Sequence, residues 1–387
     1  MMNVSYGKQS IKQEDIDAVV EVLKSDWLTQ GPAVSQFEEA FAKKVGAKYA
    51  VAFSNATAAL HSGFKVLNKD ISKKVLVTPI TFAASSNCVL YESGSVEFVD
   101  IDPVTFNIDL NLVEEKLKAN PNAYQGIIPV DFAGLPVDTE KLKQIADRYG
   151  LWIMEDACHA IGGGFYNSKN EFIKCGQGIY SDLTSFSFHP VKHIATGEGG
   201  MITTNNLSHY KHLMKLRSHG MEREVSLFEE ATHGGWYYEM QELGYNYRMP
   251  DINAALGTTQ LKRLDTNIEN RNVIATKYKN FAKETNLPYQ VYDEKKFLNG
   301  YHLFVIQSDR RRELYDYLKL QNIYSQVHYM PVYKHPYYQR NGFSEVSLPH
   351  AEKYYSKALS LPMYHSLTPD VQEYVIDTLK EFNNGIR

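Results

Sequence analysis

The chain has 387 residues, 43% hydrophobic and 22% charged, with a formal net charge of −4. That length calls for a large domain with a smaller one attached, and the mild acidity excludes the basic footprint of a nucleic-acid or anionic-membrane binder. Three cysteines, none in a Cys-x-x-Cys pair, exclude a disulfide framework and a structural zinc, and with no signal-peptide core and no apolar run near the ~20 residues of a membrane span the expected location is the cytoplasm. In chain order, Ile16, Val19, Val20 and Leu23 give a helical spacing within 11–28. A turn follows at Thr29–Pro32, and a second helical pattern runs over 34–45. From there strands and helices alternate. Strands are expected at 49–53, 74–78, 96–100, 126–130 and 151–155, with helices at 56–67, 82–92, 112–119 and 139–149. Alternation at this pace predicts an α/β fold, a mostly parallel central sheet sandwiched by helices.

In such a sheet ligands bind beyond the carboxyl ends of the strands, so the polar residues after each apolar run are the functional candidates. Ser54-Asn-Ala-Thr-Ala-Ala59 follows the first strand and opens a helix, where free amides at Ala56 and the Thr57 hydroxyl can hold a phosphate. An ordinary helix cap would use the same residues. Phe82 follows the second strand, as a core ring or as a flat face for a bound ring. Asp156-Ala-Cys-His159 follows the fifth. The glycine patterns of dinucleotide-binding folds and P-loops are missing at these turns. No His-x-x-x-His pair on a helix and no His/Cys cluster has metal-ligand spacing, so no metal is expected.

Three phrases then fall in order: Asp156-Ala-Cys-His159, Ser187-Phe-His-Pro-Val-Lys192 and Thr196-Gly-Glu-Gly-Gly200. Together with Thr29-Gln-Gly-Pro32, Arg217-Ser-His-Gly220, Leu243-Gly-Tyr-Asn-Tyr-Arg-Met249 and Gln326-Val-His-Tyr-Met-Pro331, they resemble the fold-type I, pyridoxal-phosphate-dependent sugar aminotransferases of the DegT/DnrJ/EryC1/StrS family. The resemblance covers almost the whole chain. It implies pyridoxal 5'-phosphate as cofactor, bound covalently by the Lys192 amine, with Asp156 at the pyridine nitrogen and His159 beside the phenolic oxygen. Phe82 would stack on the ring, and Ala56, Thr57 and Ser187 would hold the phosphate. Asn246 matches a phosphate contact that relatives supply from the neighbouring subunit, which implies a homodimer with shared sites. Tyr6, His328 and Tyr329 are the substrate-side candidates.

Lysine at 192, where the family's sugar 3-dehydratases carry histidine, favours transamination over dehydration. A dehydratase on the same fold and a catalytically silent regulatory protein stay as alternatives. Glutamate is the family's usual amino donor and a nucleotide-linked keto sugar its acceptor. The chain is expected to divide into a cofactor-binding domain at 1–250, with an N-terminal helical arm, and a smaller α+β domain at 251–387. Within the latter, strands are expected at 301–306 and 324–329 and a helix at 310–321. The acid- and aromatic-rich stretch 222–240 reads as a lid or a dimer contact.

Overall fold

The computed structural model describes residues 2–385. Strands β1 (Tyr49–Phe53), β2 (Lys74–Val77), β3 (Ser95–Phe98), β4 (Tyr124–Ile128) and β5 (Trp152–Asp156) alternate with helices α3 (Ala56–Leu67), α4 (Ala84–Tyr91), α5 (Leu110–Ala119) and α6 (Thr139–Tyr149), after helices α1 (Gln13–Lys24) and α2 (Pro32–Val45). A hairpin of β6 (Gly164–Tyr166) and β7 (Phe172–Lys174) precedes β8 (Leu183–Ser187) and β9 (Gly200–Thr204). The central sheet has the order β1-β9-β8-β5-β4-β2-β3. β9 runs antiparallel to both its neighbours, and the other adjacent pairs are parallel. All strands but β9 therefore present their carboxyl ends at one edge.

The strands bury both faces, as a parallel sheet must. Val75 and Val77 point into one apolar cluster with Phe64 of α3 and Cys88 of α4, while Leu76 between them joins a second cluster with Val113 of α5 and Ile145 of α6. Trp152 and Met154 divide from Ile153 in the same way, by the period of two that a strand imposes. Helix starts are set by side chains that take up the free amides of the first turn. Asn55 accepts from the Ala58 amide, Asp109 from Asn111 and Leu112, and Asp138 from Lys141. α2 and α6 stop at Gly46 and Gly150, both left-handed at φ 85 and 67.

The N-terminal helices are held from far along the chain. Helix α7 (Leu207–Arg217) is followed by α8 (Asp251–Lys262) and the long α9 (Leu264–Glu284). Asp15 of α1 accepts from Thr259, Gln260 and Arg263 at the end of α8. Asp251 at its start accepts from the Gly31 and Ala33 amides, fixing the entry to α2. Phe37 and Phe41 of α2 are fully buried against Phe188 and are worth about 1.5–3 kcal/mol each. A separate apolar cluster spans Ile274, Tyr278, Phe304, Leu318 and Leu379, uniting the C-terminal elements with Val4 of the N-terminal strand-like arm.

Two expected strands differ. The strand read at 301–306 is Phe304–Gln307, because Tyr301 takes a left-handed φ of 49 and turns the chain there. The stretch 324–329 forms no strand: only Gln326 bridges Ser360 on the strand Ala358–Leu361, and beyond it His328 and Tyr329 line a cavity. The stretch 222–240 is closed at its ends by pairing of Met221 with Met240 and Glu222 with Glu239. Among the described residues no helix is long and apolar enough to cross a membrane.

Candidate active site

A cavity of about 940 Å³ opens at the carboxyl edge of the sheet. Ten of the residues expected from sequence line it: Tyr6, Ala56, Thr57, Phe82, Asp156, His159, Ser187, Lys192, His328 and Tyr329. Asn246 does not. It is exposed and bridges Ser218 outside the cavity.

Lys192 lies in the turn between β8 and β9, which is pinned on three sides. The Thr196 amide donates to the Phe188 carbonyl at 2.9 Å, Asn253 of α8 donates to the Thr196 carbonyl at 2.6 Å, and the His193 imidazole donates to the Gly300 carbonyl at 2.7 Å. His193 thus anchors the loop from its far side. The half-buried Lys192 amine has its pKa lowered to about 8, chiefly by loss of water around it, against the opposing pull of Cys158 and Asp156.

Asp156 ends β5 with both oxygens held. Ser85 of α4 donates to Oδ2 at 2.6 Å and the Cys158 amide to Oδ1 at 3.2 Å. With the Ser85 proton committed to the carboxylate, the 2.7 Å contact between Thr81 and Ser85 has Thr81 as donor. His159 accepts from the Ala133 amide at Nδ1, so its neutral ring carries the proton on Nε2 and donates to the Tyr329 hydroxyl at 3.2 Å. Burial drives the His159 pKa well below its ordinary value and that of His328 to about 3, and it raises that of the Tyr329 phenol. These rings are neutral at physiological pH, and the carboxyls of Asp156 and Glu198 also line the cavity.

The start of α3 forms an anion cradle. Asn55 takes the Ala58 amide, and helix geometry leaves those of Ala56 and Thr57 without intrahelical partners. The cradle sits hard against β9: a Cβ on Gly200 would lie 2.6 Å from the Ala56 nitrogen and from the Asn55 carbonyl carbon and oxygen. Phe82 is 64% exposed although it lines the cavity, and among the described residues no ring stacks on its apolar face.

An amine of lowered basicity, an anchored carboxylate, an anion cradle and an open aromatic face fit pyridoxal 5'-phosphate. Lys192, Asp156, the start of α3 with Ser187, and Phe82 would hold it. When bound, it supplies an electron sink for cleaving a bond to the carbon beside a substrate amine. The chain supplies the rest. Lys192 can carry a proton between neighbouring atoms, Ser85 and the Cys158 amide keep Asp156 aimed, and the imidazoles and phenol of the wall orient polar substrate groups. Sequence reasoning missed two residues. Ser85 stands in the first turn of α4, just beyond the end of β2, a readable signal. His302, whose Nε2 lies 3.4 Å from the Lys192 amine, was hidden in the apolar run Tyr301–Ile306.

The site fits a pyridoxal-phosphate enzyme, and similarity over nearly the whole chain makes it an aminotransferase acting on sugars. The chain belongs to the DegT/DnrJ/EryC1/StrS aminotransferase family, whose model matches residues 9–380. It is 37% identical to the Bacillus subtilis spore coat polysaccharide biosynthesis protein SpsC, over 98% of this chain and 97% of that one. It is 36% identical to the Campylobacter jejuni UDP-4-amino-4,6-dideoxy-N-acetyl-beta-L-altrosamine transaminase, over 97% and 96%. Among solved structures, Helicobacter pylori PseC, an aminotransferase involved in the biosynthesis of pseudoaminic acid, superposes with a TM-score of 0.88 at 28% identity, covering 99% of this chain and all of that one.

Proposed function

We propose that the protein moves an amino group from glutamate to C4 of a UDP-linked 4-keto-6-deoxy-N-acetyl-L-altrosamine, in the route to pseudaminic acid. The observation that carries this reading is near full-length similarity to the Campylobacter transaminase and to PseC, together with a lysine at position 192 inside a cavity of about 940 Å³. That volume is at the upper end for small-ligand sites and suits a nucleotide-linked sugar beside the cofactor. In this reading His328 and Tyr329 face the sugar, and Tyr6 closes the cavity from the N-terminal arm, its ring 5.4 Å from that of His328. The similarity to SpsC supports a second reading, transfer to another nucleotide-linked keto sugar.

The working form in this proposal is a cytoplasmic homodimer, each subunit offering Asn246 to its partner's cofactor phosphate. The position of Asn246 outside its own cavity supports this, as do the exposed Val225, Trp236, Met240 and Leu243 along the neighbouring stretch. The division into a cofactor domain ending at 250 and a smaller one from 251 is retained as a functional division, although α8 packs on α1 and α2. The test is a panel of UDP-, dTDP- and GDP-linked 3- and 4-keto sugars with glutamate, scored by product mass and the configuration of the new amine. The altrosamine 4-keto sugar should give the highest kcat/KM. Preference for another sugar by tenfold or more would replace the first reading with the second.

A further inference from the structure

Among the described residues, the Lys192 amine has one hydrogen-bond partner, Nε2 of His302 at 3.4 Å. His302 is 3% exposed and lies between the rings of His159 and His193, at centroid distances of 4.5 and 5.9 Å. Its backbone is immobilised. The fully buried Arg271 guanidinium donates to the carbonyls of Tyr301, His302 and Met363, and the Leu303 amide donates to the Ala133 carbonyl. Met363 in turn donates its amide to the Tyr6 carbonyl, so one cation ties His302 to the segment that closes the cavity.

The other ring nitrogen of His302, Nδ1, is buried and has no partner among the described residues. Whichever nitrogen carries the proton, that atom is left unsatisfied, a cost that a leucine of similar volume would avoid. Fold stability alone gives no reason for an imidazole here. Contact with the amine does.

We propose that His302 is a positioning residue for Lys192: its neutral imidazole accepts a hydrogen bond at Nε2 from the lysine ammonium and holds that amine toward the cavity whenever it is not bonded to the cofactor. The inference rests on Lys192 being the reactive amine but not on the identity of the sugar. The titratable groups facing the pair are Asp156, Cys158, His159, His193, His328 and Arg271. Burial keeps the imidazoles among them, and His302 itself, neutral around pH 7, so His302 is available as an acceptor throughout the range in which Lys192 titrates.

The test reads Lys192 directly. The full-length chain freed of cofactor is labelled with an amine-reactive reagent across pH 6 to 10 (roughly the range around a lowered lysine value), and labelling of the Lys192 peptide is followed by mass spectrometry. His302→Leu should move the labelling midpoint down by about one pH unit, the size of one lost hydrogen bond to a charged group. His302→Gln, whose carboxamide oxygen can accept the same bond, should restore most of the shift. An unchanged midpoint in a folded His302→Leu variant, or a His302→Gln midpoint as low as the leucine one, overturns the proposal. Should the leucine variant fail to fold, the ¹⁵N resonance of His302 Nε2 in the unsubstituted protein decides. It should move when Lys192→Met removes the donor, and an unmoved resonance refutes the contact. Because no sugar enters either measurement, failure here is distinct from failure of the substrate reading.

Discussion

Gly200→Ala tests the geometry of the phosphate cradle with a single methyl group. The position does not need glycine for its backbone angles, since Gly200 lies within β9 and is absent from the left-handed residues. It needs glycine for space. The added Cβ would meet three backbone atoms of Asn55 and Ala56 at 2.6 Å, whereas carbon contacts settle near 3.5–4.0 Å, so cradle and strand must separate by about 1 Å. No flexible side chain is there to yield. Overpacking of this kind costs about 1–3 kcal/mol, and it falls on the Asn55–Ala56 peptide, whose amide is one of the two that would hold the phosphate. If that cost is borne by the bound state, cofactor affinity drops about fivefold to 150-fold. The assay is titration of the cofactor-free protein with pyridoxal 5'-phosphate, followed by absorbance, with Gly235→Ala as control because its Cβ meets nothing within 4 Å. An affinity for Gly200→Ala within twofold of the unsubstituted protein, with the fold intact, would refute the placement of the phosphate at the start of α3.

Two further predictions concern buried charge. Glu38 of α2 accepts from the Ala52 amide and pairs with the buried Arg217 of α7, which also donates to the Ala52 carbonyl. Glu38→Ala leaves the guanidinium without its counter-charge and should destabilise the fold by about 3–5 kcal/mol, read from the urea unfolding midpoint; a loss under about 1 kcal/mol would show that the pair is solvated. Asp131 and Glu155 are buried side by side, and burial foremost raises both pKa values, with their mutual repulsion adding to the rise at Asp131. The native state therefore binds more protons than the unfolded one above about pH 4, and this pair's stabilisation is lost as pH rises through the raised values. Asp131→Asn removes the conflict, so the Tm difference between variant and unsubstituted protein should shift in the variant's favour from pH 5 to pH 8. A difference independent of pH would mean that the two carboxyls do not share a proton.

What the sequence disclosed follows from how far each signal reaches along the chain. Residues at the ends of β1, β2 and β5 were legible because a strand, a turn and a helix start are contiguous, so Ala56, Thr57, Phe82 and Asp156 announce their edge of the sheet by position alone. Lys192 was legible for another reason: its loop carries the phrase Ser187-Phe-His-Pro-Val-Lys192, which resembles that of a known family. The stretch 324–329 misled because alternating side chains report two-sidedness, not a partner, and its backbone finds Ser360 at one residue only. His302 shows the deeper limit. Its run Tyr301–Ile306 has the apolar character of a core strand, yet the left-handed Tyr301 and the Arg271 grip on three carbonyls deliver its ring to an amine 110 residues earlier. No local period encodes that meeting. The residue's type was nevertheless a clue, because a histidine inside an apolar run must find a polar partner or leave a nitrogen unpaired. Here it does both, one nitrogen on Lys192 and the other, among the described residues, on nothing; His193 has the same unpaired Nδ1 but spends its Nε2 on a backbone carbonyl, so it is the partner, the Lys192 amine, that marks His302.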